Sequence, residues 1–359
     1  MKKYNKINSL QYGIVIYFLI RSMSLGISIN SYIHIGGVDG YLSAIIGTII
    51  GIIPLYLFIK LLNYKPDLNI FEKIDFIFKK YGMLINIIMS ISVFFLSSIV
   101  FWNLLDFIVS QYLFRTKTII VALIFGICFI YACSKSINVI FRCANILFYI
   151  SIIIFLICFF GLIKSIKINN LLPFLEFGIS KPILSGCAHV CYSILPLYML
   201  LMIPKNNIVH NHKLNKQIII FYLLGNLSKF IVVFLTISIF GIDLAKLYEF
   251  PDFIMLRRIA TNGFFQKFES ILATQWIFDL FIMLCICYQY IKKSYAHIFN
   301  KHNDLFINIT ILISCIICSN YIFNNNTTGD SFILYKLPFI LFILFFIIPF
   351  YIYKKRKIT

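Results

Sequence analysis

Along most of the chain, apolar runs alternate with short polar breaks that carry a few basic residues. A transmembrane helix needs about 20 mostly apolar residues. Runs of that length fall at 11–30, 40–62, 84–108, 117–135, 143–163, 183–204, 217–241, 270–291, 304–323 and 332–353. The pattern predicts an all-α integral membrane protein of ten transmembrane helices.

Two connections carry a pattern of their own. In residues 69–80 Asn69 stands three before Glu72, the spacing of a capping box. Ile70, Phe71, Ile74, Ile77 and Phe78 then share one face, with Lys73, Lys79 and Lys80 assigned away from it. That describes a helix lying in the membrane interface. Residues 242–269, the largest outward connection, mix Asp243, Glu249, Asp252, Arg257 and Arg258 with apolar residues. They fit a structured external gate or partner surface, or a solvated connector.

Composition agrees with the pattern. Of 359 residues 61% are hydrophobic and 13% charged, against about half and a quarter in soluble domains. One membrane domain, 1–359, is expected, with halves of about 1–165 and 166–359. The formal charge of +19 is dispersed in small clusters between apolar runs. It therefore points to membrane orientation and lipid headgroups rather than nucleic acid. Alternate connections hold twenty Lys and Arg in one set and ten in the other. The richer set includes both chain ends, which predicts cytoplasmic termini. Residues 1–9, with Lys2, Lys3 and Lys6, read as the flank of an uncleaved first helix, because the apolar stretch is too long for a signal peptide.

Candidate chemistry is sparse. Ionisable residues inside a membrane are costly and mark functional sites. Arg21 falls mid-way along the first run, Lys229 along the seventh and Asp279 in the eighth, with Asp106 near the outer end of the third. Arg21 precedes Ser22, Ser24 and Gly26, small residues that weaken a helix and let backbone open toward a cavity. It either serves that cavity or pairs internally. Lys229 either pairs with Asp279 or faces a water-filled crevice.

The sixth run is irregular, with Gly186, His189, Ser193 and Pro196. Proline in a helix removes a hydrogen bond and clashes with the preceding turn. His189 has no partners at metal-ligand spacing. Gly47 and Gly51 form a GxxxG suited to close helix packing. Of ten cysteines, Cys128, Cys133, Cys158, Cys285, Cys287, Cys315 and Cys318 lie in apolar runs, where thiols act as small hydrophobes.

The chain contains no P-loop, GxSxG, HExxH or dinucleotide fingerprint. No enzymatic activity, cofactor or metal is expected. Interrupted runs one and six lie five apart, and halves of five helices must have opposite orientation. This is the plan of transporters with inverted repeats and broken helices around a mid-membrane site.

Several segments resemble one family, the B subunits of spore germinant receptors (spore permeases), within the amino acid–polyamine–organocation transporter superfamily. They are Phe264-Phe265-Gln266-Lys267-Phe268-Glu269 with Trp276 and Phe281 after it and Pro251 and Arg257 before it; Leu171-Leu172-Pro173 with Gly178, Pro182 and Gly186; Gly37-Val38-Asp39-Gly40-Tyr41-Leu42; and Arg142. The resemblance spans essentially the whole chain. It implies a leucine-transporter-like 5+5 inverted repeat with helices 1 and 6 unwound around a small-molecule germinant.

Carried over, the site comprises Ser22, Ser24 and Gly26, Ser92 and Leu96, Ser193 and Pro196, and Ile282 and Met283. The family further implies A and C receptor subunits as partners and the spore inner membrane as location. The sequence departs from the family pattern in two places. Pro196 and Tyr198 stand where a Gly and a Glu are common, and Ser22 and Ser24 replace usual glycines beside an atypical Arg21. These departures leave the ligand open, with Arg21 favouring an anionic one over an ordinary amino acid. A secondary amino-acid transporter coupled to protons or sodium, using Lys229 and Asp279, is the alternative.

Overall fold

A computed structural model describes residues 6–176, 178–259, 268–299, 307, 309–310, 313–317 and 332–355. The ninth apolar run and Phe264–Lys267 lie largely or wholly outside the described residues. Among the described residues the regular structure is helical apart from one two-residue parallel pair, Ile7–Asn8 with Ile208–Val209. Among the described residues, seven stretches are long and apolar enough to cross a membrane: Ser9–Asn63, Ile70–Gln111, Ile137–Ser165, Ser180–Met202, Asn211–Leu247, Ala273–Phe299 and Leu337–Lys355. Exposed Ile49, Ile53, Leu123, Ile127, Ile153 and Phe160 line the outside, while polar side chains are buried within. The protein is a multi-pass integral membrane protein.

The first helix, α1 (Ser9–Arg21), starts at a capping box in which Asn8 and Gln11 satisfy each other's backbone N–H. It breaks after Arg21 and resumes as irregular turns to Gly36. The chain then turns through Gly37–Asp39 into α2 (Gly40–Ile50) and α3 (Ile52–Asn63). The second capping box, Asn69 with Glu72, opens α4 (Ile70–Phe78) as expected. Then follow α5 (Gly82–Gln111), α6 (Thr118–Ser134), α7 (Ile137–Leu162) and α8 (Ser180–Ser193). After α8 a 3-10 segment, Leu195–Met202, completes the sixth run. Further helices are α9 (Leu214–Leu247), the short α10 (Pro251–Ile254), α11 (Phe268–Phe299), α12 (Leu337–Phe342) and α13 (Ile348–Lys355).

Lys73 corrects one expectation. It does not point away from the apolar face of α4; it is 1% exposed, and its Nζ donates to Leu61 O at 2.9 Å. That carbonyl lies in the last turn of α3, where backbone acceptors lack helical partners. The long apolar stem of Lys73 can lie among hydrophobic neighbours while its ammonium caps another helix.

Gly47 and Gly51 do serve close packing. A Cβ on Gly47 would come within 2.7 Å of the His189 ring, and one on Gly51 would collide with Ile194. Hence α2 and the start of α3 lie directly against the sixth run.

Contacts sort the helix ends into two groups. At one end Lys205 Nζ reaches Asn63 Oδ1 at 2.6 Å, His297 meets Asp75 at 2.6 Å, and Gln289 donates to Cys133 O and Lys135 O. The Ile7–Asn8 pairing with Ile208–Val209 and the stacking of Phe78 on Tyr351 belong there too. At the other end Asn30 Nδ2 donates to Glu249 O at 2.8 Å, Leu175 N to Asp39, and Lys167 N to Ser238 O. His34, Lys181, Pro338 and Phe339 line one cavity at that end.

Candidate functional site

The first run opens where its small residues cluster. Leu25 takes ψ of 119° and Gly26 φ of +67°, a left-handed conformation that glycine adopts without a Cβ penalty. Asn103 of α5 donates from Nδ2 to Leu25 O at 3.0 Å, so a carbonyl released from the helix finds a partner away from water. A Cβ on Gly26 would lie 2.7 Å from the Phe250 ring and 2.9 Å from Asn103 Oδ1. The break is therefore packed on both sides.

The sixth run breaks differently. Helix α8 ends at Ser193, and Pro196 near the start of the following segment tightens it into eight residues of 3-10 helix. The missing proline N–H and the clash of its ring are the local cause. Beside the break, Lys229 of α9 donates from Nζ to Ser193 Oγ at 2.6 Å. The segment Ser24–Ser28 touches α8, and α1 touches the 3-10 segment, so the two breaks are neighbours.

Between them lies a buried charge cluster. Arg21 Nε donates to Asp279 Oδ2 at 3.0 Å, Nη1 to Tyr17 OH at 2.7 Å and Nη2 to Gln275 Oε1 at 3.2 Å. Tyr17 and Phe155 add ring faces at 5.2 and 5.5 Å from the guanidinium carbon. Arg21, Asp279 and Lys229 are each no more than 3% exposed. The sequence left Lys229 open between Asp279 and a crevice. In the fold Arg21 holds Asp279, whereas Lys229 stays within Coulombic range of both and bonds to a hydroxyl. Among the described residues no carboxylate lies within ion-pair distance of Lys229. Two cations face one anion.

The remaining expected site residues divide. Ser22, Ser24, Leu96, Ser193, Pro196, Ile282 and Met283 are all buried. Ser22 bonds to its own helix at Leu19 O, 2.8 Å away. Leu96 lies on α5 and Ile282 and Met283 on α11, two helices that pack together, and α11 also meets the 3-10 segment. Ser92 is not brought to this group. It is half-buried between exposed Ile91 and Phe95, and its hydroxyl turns back to Ile88 O at 2.7 Å.

Sequence reading missed Tyr17, Asn103 and Gln275. Tyr17 carried a usable signal, being one helical turn before Arg21. Neutral amides raise no charge alarm in an apolar run, so Asn103 and Gln275 passed unnoticed.

Within the 242–269 connection, the described residues 250–256 are structured. Phe250, Pro251, Asp252, Phe253, Met255 and Leu256 are all buried. Phe250 and Phe253 both pack edge-on against Phe107 with centroids 5.2 Å apart. Asp252 is fully buried within this cover, and its carboxyl is pushed up to about 7, chiefly by loss of hydration.

Comparison with known proteins bears on what this arrangement belongs to. Residues 7–327 match the family model described as spore germination protein, a spore permease family. The chain is 26% identical over 279 residues to Spore germination protein YndE of Bacillus subtilis (strain 168), covering 73% of this chain and 72% of that protein. With its buried polar centre and apolar exterior, this chain belongs to the spore permease family of spore germination proteins.

Proposed function

We propose that the protein is the transporter-like, ligand-sensing subunit of a spore germinant receptor. A small germinant, an amino acid or similar molecule, binds at mid-membrane and triggers germination by shifting a conformational equilibrium. The observation that carries this reading is the pair of adjoining helix breaks beside Lys229, which has a hydroxyl rather than a carboxylate as partner. The surplus cation suits a ligand carboxylate, and Asp279 is already engaged by Arg21. A ligand shifts the equilibrium only by binding one state better than the other. A group that bridges the two breaks meets that requirement, because its contacts change if the breaks move apart.

The proposal includes ten crossings in a leucine-transporter-like 5+5 inverted repeat, with halves of about 1–165 and 166–359. The two groups of helix-end contacts support it. Successive long helices run from one group to the other, and the 55-residue stretch Ser9–Asn63 reverses near Gly37, giving two crossings. With the basic excess in alternate connections, this supports cytoplasmic termini. A and C receptor subunits are the proposed partners, and the spore inner membrane the proposed location. No enzymatic step or cofactor enters the proposal.

The test is deletion of the coding sequence in its spore-former, followed by a panel of candidate germinants. Selective loss of the response to one compound, restored by the intact chain but not by Lys229→Met or Ser193→Leu, supports the receptor. Unchanged germination across the panel favours a secondary amino-acid transporter, a reading to which the buried cluster of Arg21, Lys229 and Asp279 lends itself. Labelled amino-acid uptake then decides for or against that reading.

A further inference from the structure

Helix α8 has different surroundings on its two faces. His189 abuts Gly47 of α2, and Ser193 accepts from Lys229 of α9. With 3.6 residues per turn, Leu184, Cys187 and Cys191 fall on the opposite face. There they line a cavity of about 700 Å³, whose other walls are the end of the first run, α2, and the tenth run, where α12 leans on α8. Small-molecule sites have volumes of that order, but this lining lacks what an amino acid needs. None of the lining residues is acidic. Apart from thiols, the ionisable groups are His34 and Lys181, both exposed and both at the mouth. Below them the side chains are apolar, and the thiols of Cys187 and Cys191 act as small hydrophobes.

The depth of the cavity matches one leaflet. From the mouth at Lys181, α8 reaches the floor at Cys191 ten residues on, and α2 reaches it at Ile50, ten residues after Gly40. The tenth run goes from Leu334 to Phe342. At 1.5 Å per residue the walls are about 12–15 Å long, and half of a bilayer's hydrocarbon core is about 15 Å. The cavity opens sideways as well as at the mouth. Leu184 and Phe339 on its rim are 63% and 67% exposed, on the apolar exterior that lipid covers.

We propose that this cavity binds an anionic phospholipid, with one acyl chain between α8 and the tenth run and the phosphate at Lys181 and His34. The apolar walls suit the chain over the length of one leaflet. The side opening lets the second chain stay in the bilayer, which favours a diacyl lipid over a free fatty acid. At the mouth Lys181 supplies positive charge and His34 a ring N–H donor. Lys336, exposed between the lining residues Leu334 and Pro338, adds a further charge on the tenth run. Basic residues near a membrane surface attract anionic headgroups. The bound chain braces α8 on the face opposite His189 and Ser193, so that the lipid and the sixth-run break share one helix. The lipid site stands on its own geometry, whatever occupies the breaks.

The experiment uses the full chain in nanodiscs of phosphatidylcholine with a minor share of phosphatidylglycerol, released into mild detergent for native mass spectrometry. One phosphatidylglycerol per chain should be retained in preference to phosphatidylcholine. Lys181→Gln should weaken that retention about fivefold, and Leu184→Trp, which fills the rim, should remove it. Both residues are exposed, so neither change threatens the fold. Phosphatidylglycerol with a diazirine near the end of one acyl chain should crosslink close to Cys191 and Phe342, and with a diazirine in the headgroup close to Lys181. Equal retention of the two lipids overturns the proposal, as do retention unchanged in both variants and crosslinks scattered over the exterior. Tighter binding of oleate than of phosphatidylglycerol overturns it in favour of a free fatty acid. A cavity that takes up neither lipid and crosslinks instead to a co-expressed receptor subunit overturns it in favour of a protein partner.

Discussion

At Leu25–Gly26 the chain leaves helical geometry, whereas at Leu195–Met202 it remains helical and winds more tightly. The first break depends on a residue without a side chain and on outside help. Asn103 from α5 holds the Leu25 carbonyl and Phe250 from the 250–256 cover fills the space beside it. The second depends on a ring that removes a donor, and its 3-10 turns satisfy most of the backbone internally. The difference teaches where movement is easier. A break held by other elements shifts when those elements shift, while one made by proline is a property of its own segment. The first break is thus tied to α5 and the 250–256 cover, whereas the second is shaped first by its own proline and only then tied in, by Tyr12 and Lys293 donating to Leu200 O and Met202 O.

The largest expected effect comes from the charge cluster between the breaks. Arg21→Leu leaves Asp279 buried without its cation and should lower unfolding stability in detergent micelles by about 3–5 kcal/mol. Replacing Asp279 by Leu in the same chain should restore most of it. No recovery in the double variant would mean that the pair does not carry the loss.

Next comes a paired substitution at the two breaks. Gly26→Ala puts a Cβ on a left-handed residue at about 1–2 kcal/mol, with the crowding against Phe250 added. Pro196→Ala should cost about 0.4–1 kcal/mol, chiefly through the freer unfolded chain. Equal losses in the same thermal-shift assay would erase the distinction between the breaks.

Asn103→Leu tests the outside support alone. It strands the Leu25 carbonyl and should cost about 1–3 kcal/mol. Faster amide exchange at Gly26 and Ile27 with little change near Pro196 would localise the effect.

A separate, pH-dependent effect reaches the first break through the cover. Asp252 has a folded pKa of about 7 against an ordinary 3.8, so the folded state binds more protons between those values. Its contribution to stability is fully present below about pH 4 and is lost as pH rises through 7. Asp252→Asn should flatten that part of the melting-temperature profile. An unaltered profile would show that another group sets it.

Most of the local architecture was legible from residues. Apolar runs gave the helices, Asn69 and Glu72 a real capping box, and small residues and proline the two breaks. Lys73 was misjudged because wheel position records only where a side chain starts, and its long stem carried the ammonium to Leu61 O. Ser92 was misplaced because a helix number does not say which face turns inward. The partner of Lys229 was open for a related reason. Two cations and one carboxylate permit either pairing, and Arg21 took Asp279 with Tyr17 and Gln275 completing its shell.

By itself the sequence determined that the chain lives in a membrane, roughly where its helices run, and where they fail. Those properties follow from transfer cost and backbone sterics, which act over a few turns. The tertiary structure alone decided that Arg21 would neutralise Asp279, that Asn103 would hold the first break, and that Lys229 would bond to the Ser193 hydroxyl. These pairings join residues that lie dozens to hundreds of positions apart. Helix packing settles them, because inside a low-dielectric core each polar group must find whichever partner the packing brings near.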